Sequence, residues 1–91
     1  MTSDEDNKAK DEFEKICTKY TTKGTILEFC NEGENYLSSL QGSPLINFIK
    51  KEVRATYVHY HNKSFAGITT KQFVEEIAGK VKKKLEELVK N

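Results

Sequence analysis

The sequence is poor in residues that mark several common classes of protein. It contains no tryptophan, one proline and two cysteines, and its 15 basic and 14 acidic residues leave a formal net charge of only +1. A nearly neutral molecule has no overall field that would attract nucleic acid or a membrane. No apolar run approaches the roughly 20 residues that a membrane span requires, and the start of the chain is acidic where a secretory signal would be basic and then apolar. We therefore expect an intracellular protein, in the nucleus or the cytoplasm, that does not bind membranes.

The few candidate reactive residues do not form a recognisable site. His59 and His61 are two residues apart, so on a helix they point in different directions and cannot share a metal ion. Cys17 and Cys30 lie at apolar helix positions, where a thiol is usually inert, and a disulfide between them is the alternative. We predict no catalytic residue, no metal ligand and no cofactor, and therefore no enzyme.

The hydrophobic pattern predicts an all-α protein in one domain. Apolar residues recur every three or four positions along most of the 91 residues, and no strand-like alternation appears. We expect a disordered acidic lead at residues 1–6 and a single helical domain at residues 7–91. The predicted architecture is a small four-helix domain, orthogonal or bundle-like.

The first two helices are predicted from apolar spacing and a capping motif. A first helix extends through Ala9 to Tyr20, and Thr25 and Glu28 have the spacing of a capping box at the start of a second helix. Gly33 lies in the apolar stripe of that second helix, where it weakens the helix but allows a neighbouring helix to approach closely. A break at residues 31–35 is the alternative.

The third and fourth helices have stronger start signals. Ser43 followed by Pro44 is typical of a helix start, since proline at the first helical position loses no hydrogen bond. Thr69 and Gln72 form a second potential capping box, within the stretch from Ile68 to Lys90 that has the most complete helix pattern in the chain.

The apolar surface of these two helices is wider than a lone bundle of this size is expected to cover. This excess predicts a protein partner whose helix lies in an apolar groove, with charged residues at the rims setting its orientation. The alternatives are that the four helices cover one another, or that a homodimer forms through the same faces. The residues predicted to contact the partner are Phe48, Tyr57, Val58, Phe73, Ile77, Val81, Leu85 and Leu88.

A lysine cluster in the last helix suggests an alternative function. Several cationic side chains on one element can bind phosphate groups with an affinity that falls as salt rises. Glutamates before and after the cluster interrupt the positive field, so solvated helix faces are favoured over nucleic-acid binding. The residues of this alternative site are Lys80, Lys82, Lys83 and Lys84.

Two segments are similar to segments of one known family. The first joins a threonine cap at Ile68-Thr69 to the acidic and apolar run Phe73–Ile77 and the basic run Val81–Leu85, and the second is the interval from Gly24 to Gly42. In these segments the chain resembles the small all-helical enhancer-of-yellow-two family of transcription and mRNA-export factors. The resemblance implies a non-catalytic nuclear adaptor that wraps its helices around a long helix of a larger protein.

The chain departs from that family at two positions. Ser43 stands where the family usually has a tryptophan. Only Ala78, Gly79 and Lys80 separate the two parts of the last segment, where the family has a proline-containing connector. We therefore predict one continuous final helix where the family has two.

Overall fold

Four helices are present in the part of the chain that this computed structural model describes, which is residues 4–90, with side chains through residue 88. They are α1 (Asp4–Tyr20), α2 (Ile26–Ser38), α3 (Pro44–His61) and α4 (Thr70–Lys90). Residues 4–90 contain no strand. The predicted all-α class and the predicted number of helices are confirmed, and α4 is the single continuous helix expected at the end of the chain.

Capping boxes start α2 and α4. The backbone N–H of Glu28 donates to Thr25 Oγ1 at 3.1 Å, and the backbone N–H of Thr25 donates to Glu28 Oε1 at 3.1 Å. At α4 the corresponding bonds join Gln72 N to Thr69 Oγ1 at 3.2 Å and Thr69 N to Gln72 Oε1 at 3.0 Å. Each box satisfies backbone donors that have no partner inside the helix, which fixes where both helices begin.

The start of α1 corrects the predicted disordered lead. The helix already includes residues 4–6, so the predicted boundary after residue 6 is wrong, whereas residues 1–3 lie outside the described residues. Asp6 is only 8% exposed, and the Ser43 hydroxyl donates a 2.6 Å hydrogen bond to its Oδ1. Ser43 also caps α3 by accepting from the backbone N–H of Ile46 at 3.1 Å. A tertiary contact 37 residues along the chain therefore orders the acidic start of α1.

Helix α2 is unbroken at Gly33, so the alternative of a break at residues 31–35 is wrong. Gly33 is buried against α1, and a Cβ at this position would lie 3.1 Å from Cε1 of Phe13. The glycine thus allows the close approach of helices that its position in the stripe predicted. The helix ends at Ser38 rather than continuing to the next glycine.

Side-chain contacts show that α3 and α4 are antiparallel. The Tyr60 hydroxyl, near the end of α3, donates to Glu76 Oε1 in the first turns of α4 at 2.6 Å. At the opposite ends of the same two helices, the Lys84 ammonium of α4 lies 5.3 Å from the ring centroid of Phe48 in α3. The hydrogen bond between Asp6 and Ser43 joins the start of α1 to the start of α3. The four helices contact one another in a bundle-like domain, which is one of the two predicted architectures.

Aromatic rings from all four helices meet in the core. The ring of Phe29 lies 6.0 Å from Phe13, 5.7 Å from Tyr20 and 6.1 Å from Phe73, and Phe73 lies 6.0 Å from Tyr60 (all between centroids). Full burial of one large apolar side chain contributes about 1.5–3 kcal/mol, and edge-to-face ring pairs add to it. The bundle is therefore held mainly by contacts between helices.

Candidate partner-binding groove

Three of the residues predicted to contact a partner are part of the core, and one of them, Val81, also lines the groove described below. Phe73 and Ile77 are fully buried, with no exposed surface in the monomer. The other helices already cover them, so neither is accessible to a partner in this conformation. The prediction that these two side chains form a binding surface is therefore corrected, because half of the apolar stripe of α4 is used to close the bundle.

Phe48 and Leu88 are partly buried against the core. Phe48 also lies beneath the Lys84 ammonium, in a cation–π contact that places a charge over the ring. The concave surface beside this ring lies between α3 and α4 and is lined mainly by charged side chains. Phe48 is thus separated from an apolar partner by lysine.

Tyr57 and Val58 lie near the end of α3, and the Tyr57 ring belongs to a small aromatic cluster. The Tyr57 ring stacks on His61 at 5.9 Å and lies 5.3 Å from Phe65, while Val58 is 49% exposed. Ser64 and Phe65 both have a φ of 55°, a left-handed conformation that is costly for residues other than glycine. This cluster is distinct from the Phe48 surface. The predicted residues therefore do not form one continuous groove.

An apolar groove does exist, but it lies between α1 and α4. Its volume is about 560 Å³. Val81 and Leu85, which were predicted to contact a partner, lie in this groove, and α1 supplies the facing wall. The lining residues are Lys10, Phe13, Glu14, Cys17, Thr18, Thr21, Val74, Glu75, Ala78, Val81, Lys82 and Leu85.

The groove follows from the size of side chains along α4. Ala78 lies between the larger Val74 and Val81 on the face toward α1, so the wall of α4 recedes at its centre. The lining of α4 extends from Val74 to Leu85, a length of about 16 Å at 1.5 Å per residue. The groove is therefore long enough for about three turns of a partner helix.

The two rims of the groove differ in how their charges are paired. On α1, Lys10 Nζ lies 3.3 Å from Asp11 Oδ1 and 3.7 Å from Glu14 Oε1. The hydrogen bond to Asp11 and the charge of Glu14 raise the pKa of Lys10. On α4, Glu75 and Lys82 make no ion pair with any described residue and lie two turns apart on the same rim. These two unpaired charges are accessible to a partner.

Neither cysteine is an activated nucleophile. Cys17 is at the floor of the groove and Cys30 is in the core, and both are free thiols, as the sequence predicted. Burial raises the pKa of both thiols to about 12. At neutral pH the reactive thiolate form is therefore almost absent.

The two histidines are exposed on the last turn of α3. His61 stacks on Tyr57, and His59 packs edge-on against Tyr60 with the ring centroids 4.9 Å apart. Within residues 4–90, no group of three or more histidine, cysteine or acidic side chains is placed to hold a metal ion.

The lysine cluster of α4 is divided between two faces. Lys82 lies on the rim of the groove with α1, whereas the other three lysines lie beside α3. Lys80 donates to Thr56 Oγ1 at 3.3 Å and lies 3.5 Å from carboxylate oxygens of Glu52 and Glu76. The predicted four-lysine site is therefore not one surface, and Lys80 is largely neutralised by its neighbours.

A further depression has the character of an exposed helix face. It is lined only by polar and charged residues of α1, spaced every three or four positions from Asp4 to Thr18. A surface from one helix cannot enclose a ligand.

In the part of the chain that the structure describes, no helix combines the length and apolar character needed to cross a membrane.

Sequence reasoning did not identify the α1 wall of the groove. Phe13 and Cys17 are four residues apart in the first helix, and this spacing is the signal that they share a face. The spacing does not tell which edge of that face remains open.

A comparison with known proteins finds no family model, no curated protein and no solved structure that matches this chain.

Proposed function

We propose that this protein is a non-catalytic adaptor that holds an amphipathic helix of a larger protein in the groove between α1 and α4. The observation that carries the proposal is the apolar groove between two rims with charged and polar side chains. Ala78 and Leu85 are its partly exposed apolar residues, and the buried Phe13, Cys17 and Val81 form the floor beside them. This is the arrangement used in helix-in-groove recognition, where apolar anchors supply affinity and rim charges set orientation.

Three features support a binding role over catalysis. The floor of the groove carries no ionisable group except a thiol that burial keeps protonated. The titratable groups of the rims are exposed charges on helix surfaces, where water screens them. The two histidines lie outside the groove, at the end of α3. A nucleophile and a base are therefore not brought together, which is the geometry that acyl or phosphoryl transfer requires.

The partner belongs to a nuclear transcription or mRNA-export complex in this proposal. This part rests only on the resemblance of the α2 and α4 segments to the enhancer-of-yellow-two family. The groove supports a helix as the bound element, but it carries no information about which complex contains it.

Nucleic-acid binding is the second candidate, and one observation favours it. Lys83 and Lys84 lie beside the exposed part of Phe48, so cations and an aromatic ring share one surface. Such surfaces bind single strands through phosphate contacts and base stacking. Glu52 and Glu87 lie on the same surface and reduce its positive field, so we rank this candidate below the adaptor.

Filling the groove tests the adaptor proposal. Ala78→Leu places a branched side chain in the centre of the floor, while Gly79→Ala, at the next position, adds a methyl group with no neighbouring atom within 4 Å. Affinity capture with wild-type protein and both variants, followed by mass spectrometry, should identify a partner that Ala78→Leu loses and Gly79→Ala keeps. Isothermal titration with a peptide of the partner's helix should then show at least a tenfold weaker affinity for Ala78→Leu, or about 1.4 kcal/mol.

Three results would redirect the proposal. A partner retained equally by both variants would show that the groove is not the binding site. A wild-type dimer that Ala78→Leu dissociates, measured by analytical ultracentrifugation, would assign the groove to a second copy of the chain. Salt-sensitive binding of a single-stranded oligonucleotide that Lys83→Glu and Lys84→Glu abolish would favour the second candidate.

A further inference from the structure

Ser43 is in the exposed connector between α2 and α3. Residues 39–43 lie outside the helices, and Gln41, Gly42 and Pro44 are exposed while Ser43 is half-buried. The Ser43 backbone is extended, with a φ of −131° and a ψ of 167°. Only two side-chain hydrogen bonds, to Asp6 and from the N–H of Ile46, hold its hydroxyl. Modification of Ser43 therefore requires this connector to open and release both hydrogen bonds.

Pro44 makes Ser43 chemically distinct from the other hydroxyl residues of the chain. It is the only proline, so no other serine or threonine is followed by one. Proline has no backbone N–H. Some enzymes offer no hydrogen-bond acceptor to the backbone N–H of the residue that follows the target serine. Any residue except proline then has an unsatisfied N–H when it binds, so such an enzyme selects the Ser-Pro pair.

We propose that Ser43 is a phosphorylation site for a protein kinase that requires proline after the acceptor, and that the phosphate detaches the start of α1 from α3. The Ser43 Oγ attacks the γ-phosphorus of a nucleoside triphosphate and forms a new P–O bond. The bond from that phosphorus to the β–γ bridging oxygen breaks, and the nucleoside diphosphate leaves. The hydroxyl proton passes to a carboxylate of the kinase.

Two described neighbours of the phosphate act on it in opposite directions. The N-terminus of α3 attracts it with the equivalent of about half a positive charge. The Asp6 carboxylate repels it with a full negative charge from within hydrogen-bonding distance, since Ser43 Oγ and Asp6 Oδ1 are 2.6 Å apart. Phosphorylation also removes the proton that Ser43 donates to Asp6. Repulsion therefore exceeds attraction, and the first turn of α1 moves away from α3.

Loosening of this turn reaches the core because Ala9, less than one turn beyond Asp6, is fully buried, and Phe13 follows one turn later. The amides of residues 6–13 should exchange with solvent faster in the phosphorylated protein, whereas those of α3 should change little. The distinguishing control is Asp6→Asn, which keeps an oxygen acceptor for Ser43 but removes the charge.

The first measurement tests modification. The full chain is incubated with ATP and a proline-directed serine/threonine kinase, and the product is analysed by intact and peptide mass spectrometry. One phosphoryl group should be found on Ser43, with none in Ser43→Ala and at least tenfold less in Pro44→Ala; Ser38 and Ser39 should stay unmodified. If the folded chain is not modified while a peptide of residues 38–48 is, Ser43 is not accessible and the proposal is wrong.

The second measurement tests the consequence. In hydrogen exchange, phosphorylation should accelerate residues 6–13 by roughly tenfold, or about 1.4 kcal/mol, and phosphorylated Asp6→Asn should show at most a third of this effect. Ser43→Asp and its combination with Asp6→Asn repeat the comparison without a kinase. Equal acceleration with and without the Asp6 charge would contradict the repulsion, and unchanged exchange would exclude the detachment of α1.

Discussion

Two glycines in the middle of helices should respond in different ways to the same substitution. Gly33 is buried in α2 against Phe13, and Gly79 is exposed on α4. Alanine at either position gains up to about 1 kcal/mol of helix propensity, because glycine loses more backbone entropy on folding. Any difference between the two variants therefore comes from the tertiary surroundings.

The size of that difference follows from the packing at Gly33. An alanine Cβ there would lie 3.1 Å from Cε1 of Phe13, whereas at Gly79 no neighbouring heavy atom lies within 4 Å. Carbon atoms prefer a separation of about 3.5–4.0 Å, so Phe13 has to move within a core where it is only 1% exposed. Overpacking of this kind costs about 1–3 kcal/mol. We expect Gly79→Ala to stabilise the protein by about 0.5–1 kcal/mol, and Gly33→Ala to be about 1–3 kcal/mol less stable than Gly79→Ala.

Urea unfolding monitored by far-UV circular dichroism measures the free energy of unfolding of each variant. The two values can be compared if the variants have equal m-values. In thermal unfolding, each kcal/mol corresponds to about 4–8 °C for a domain of this size. If Gly33→Ala stabilises the protein as much as Gly79→Ala, the close approach of α1 and α2 does not constrain Phe13.

Three other predictions concern caps and titratable groups. Thr69→Ala should destabilise the protein by about 0.5–2 kcal/mol, measured by urea unfolding, because it removes the side-chain cap of α4. Iodoacetamide should not label Cys17 or Cys30 in the folded protein near neutral pH, and rapid labelling there would contradict their burial. Burial raises the pKa of both thiols from 9.0 to about 12. The stability that the two thiols contribute is therefore complete below pH 9 and is lost as the pH rises through 12. The variant with alanine at both positions should not show this decline. The hydrogen bond from Lys19 lowers the pKa of Glu32. Because this pair is exposed, Glu32→Gln should lower the free energy of unfolding by less than about 1 kcal/mol. The difference between wild type and variant should disappear as the pH falls through the lowered pKa of Glu32.

The sequence was most informative where the physical signal is local. Capping boxes at Thr25 and Thr69 and the Ser43-Pro44 pair predicted the starts of three helices, because each motif needs only residues within one turn. The start of α1 was predicted wrongly because its cause is not local. Asp6 is ordered by a hydrogen bond to Ser43, far along the chain.

The candidate site was predicted only in part, for a related reason. Periodicity identified the apolar stripe of α4, but it does not divide that stripe between core and surface. The structure places Phe73, Ile77 and Val81 in the core and leaves Leu85 partly exposed along the groove that Val81 also lines. The α1 wall was missed because a groove depends on the relative rotation of two helices, which neither helix encodes alone.

The sequence by itself determined that this chain forms four amphipathic helices, where three of them begin, and that Gly33 permits a close contact. These properties depend on backbone hydrogen bonding and on the 3.6-residue period, both of which act over a few residues. Only the tertiary structure decided which apolar side chains are covered, how the lysines of α4 divide between two faces, and that the open groove lies between α1 and α4. Burial is shared between surfaces brought together by folding, so it becomes defined only when all four helices are packed.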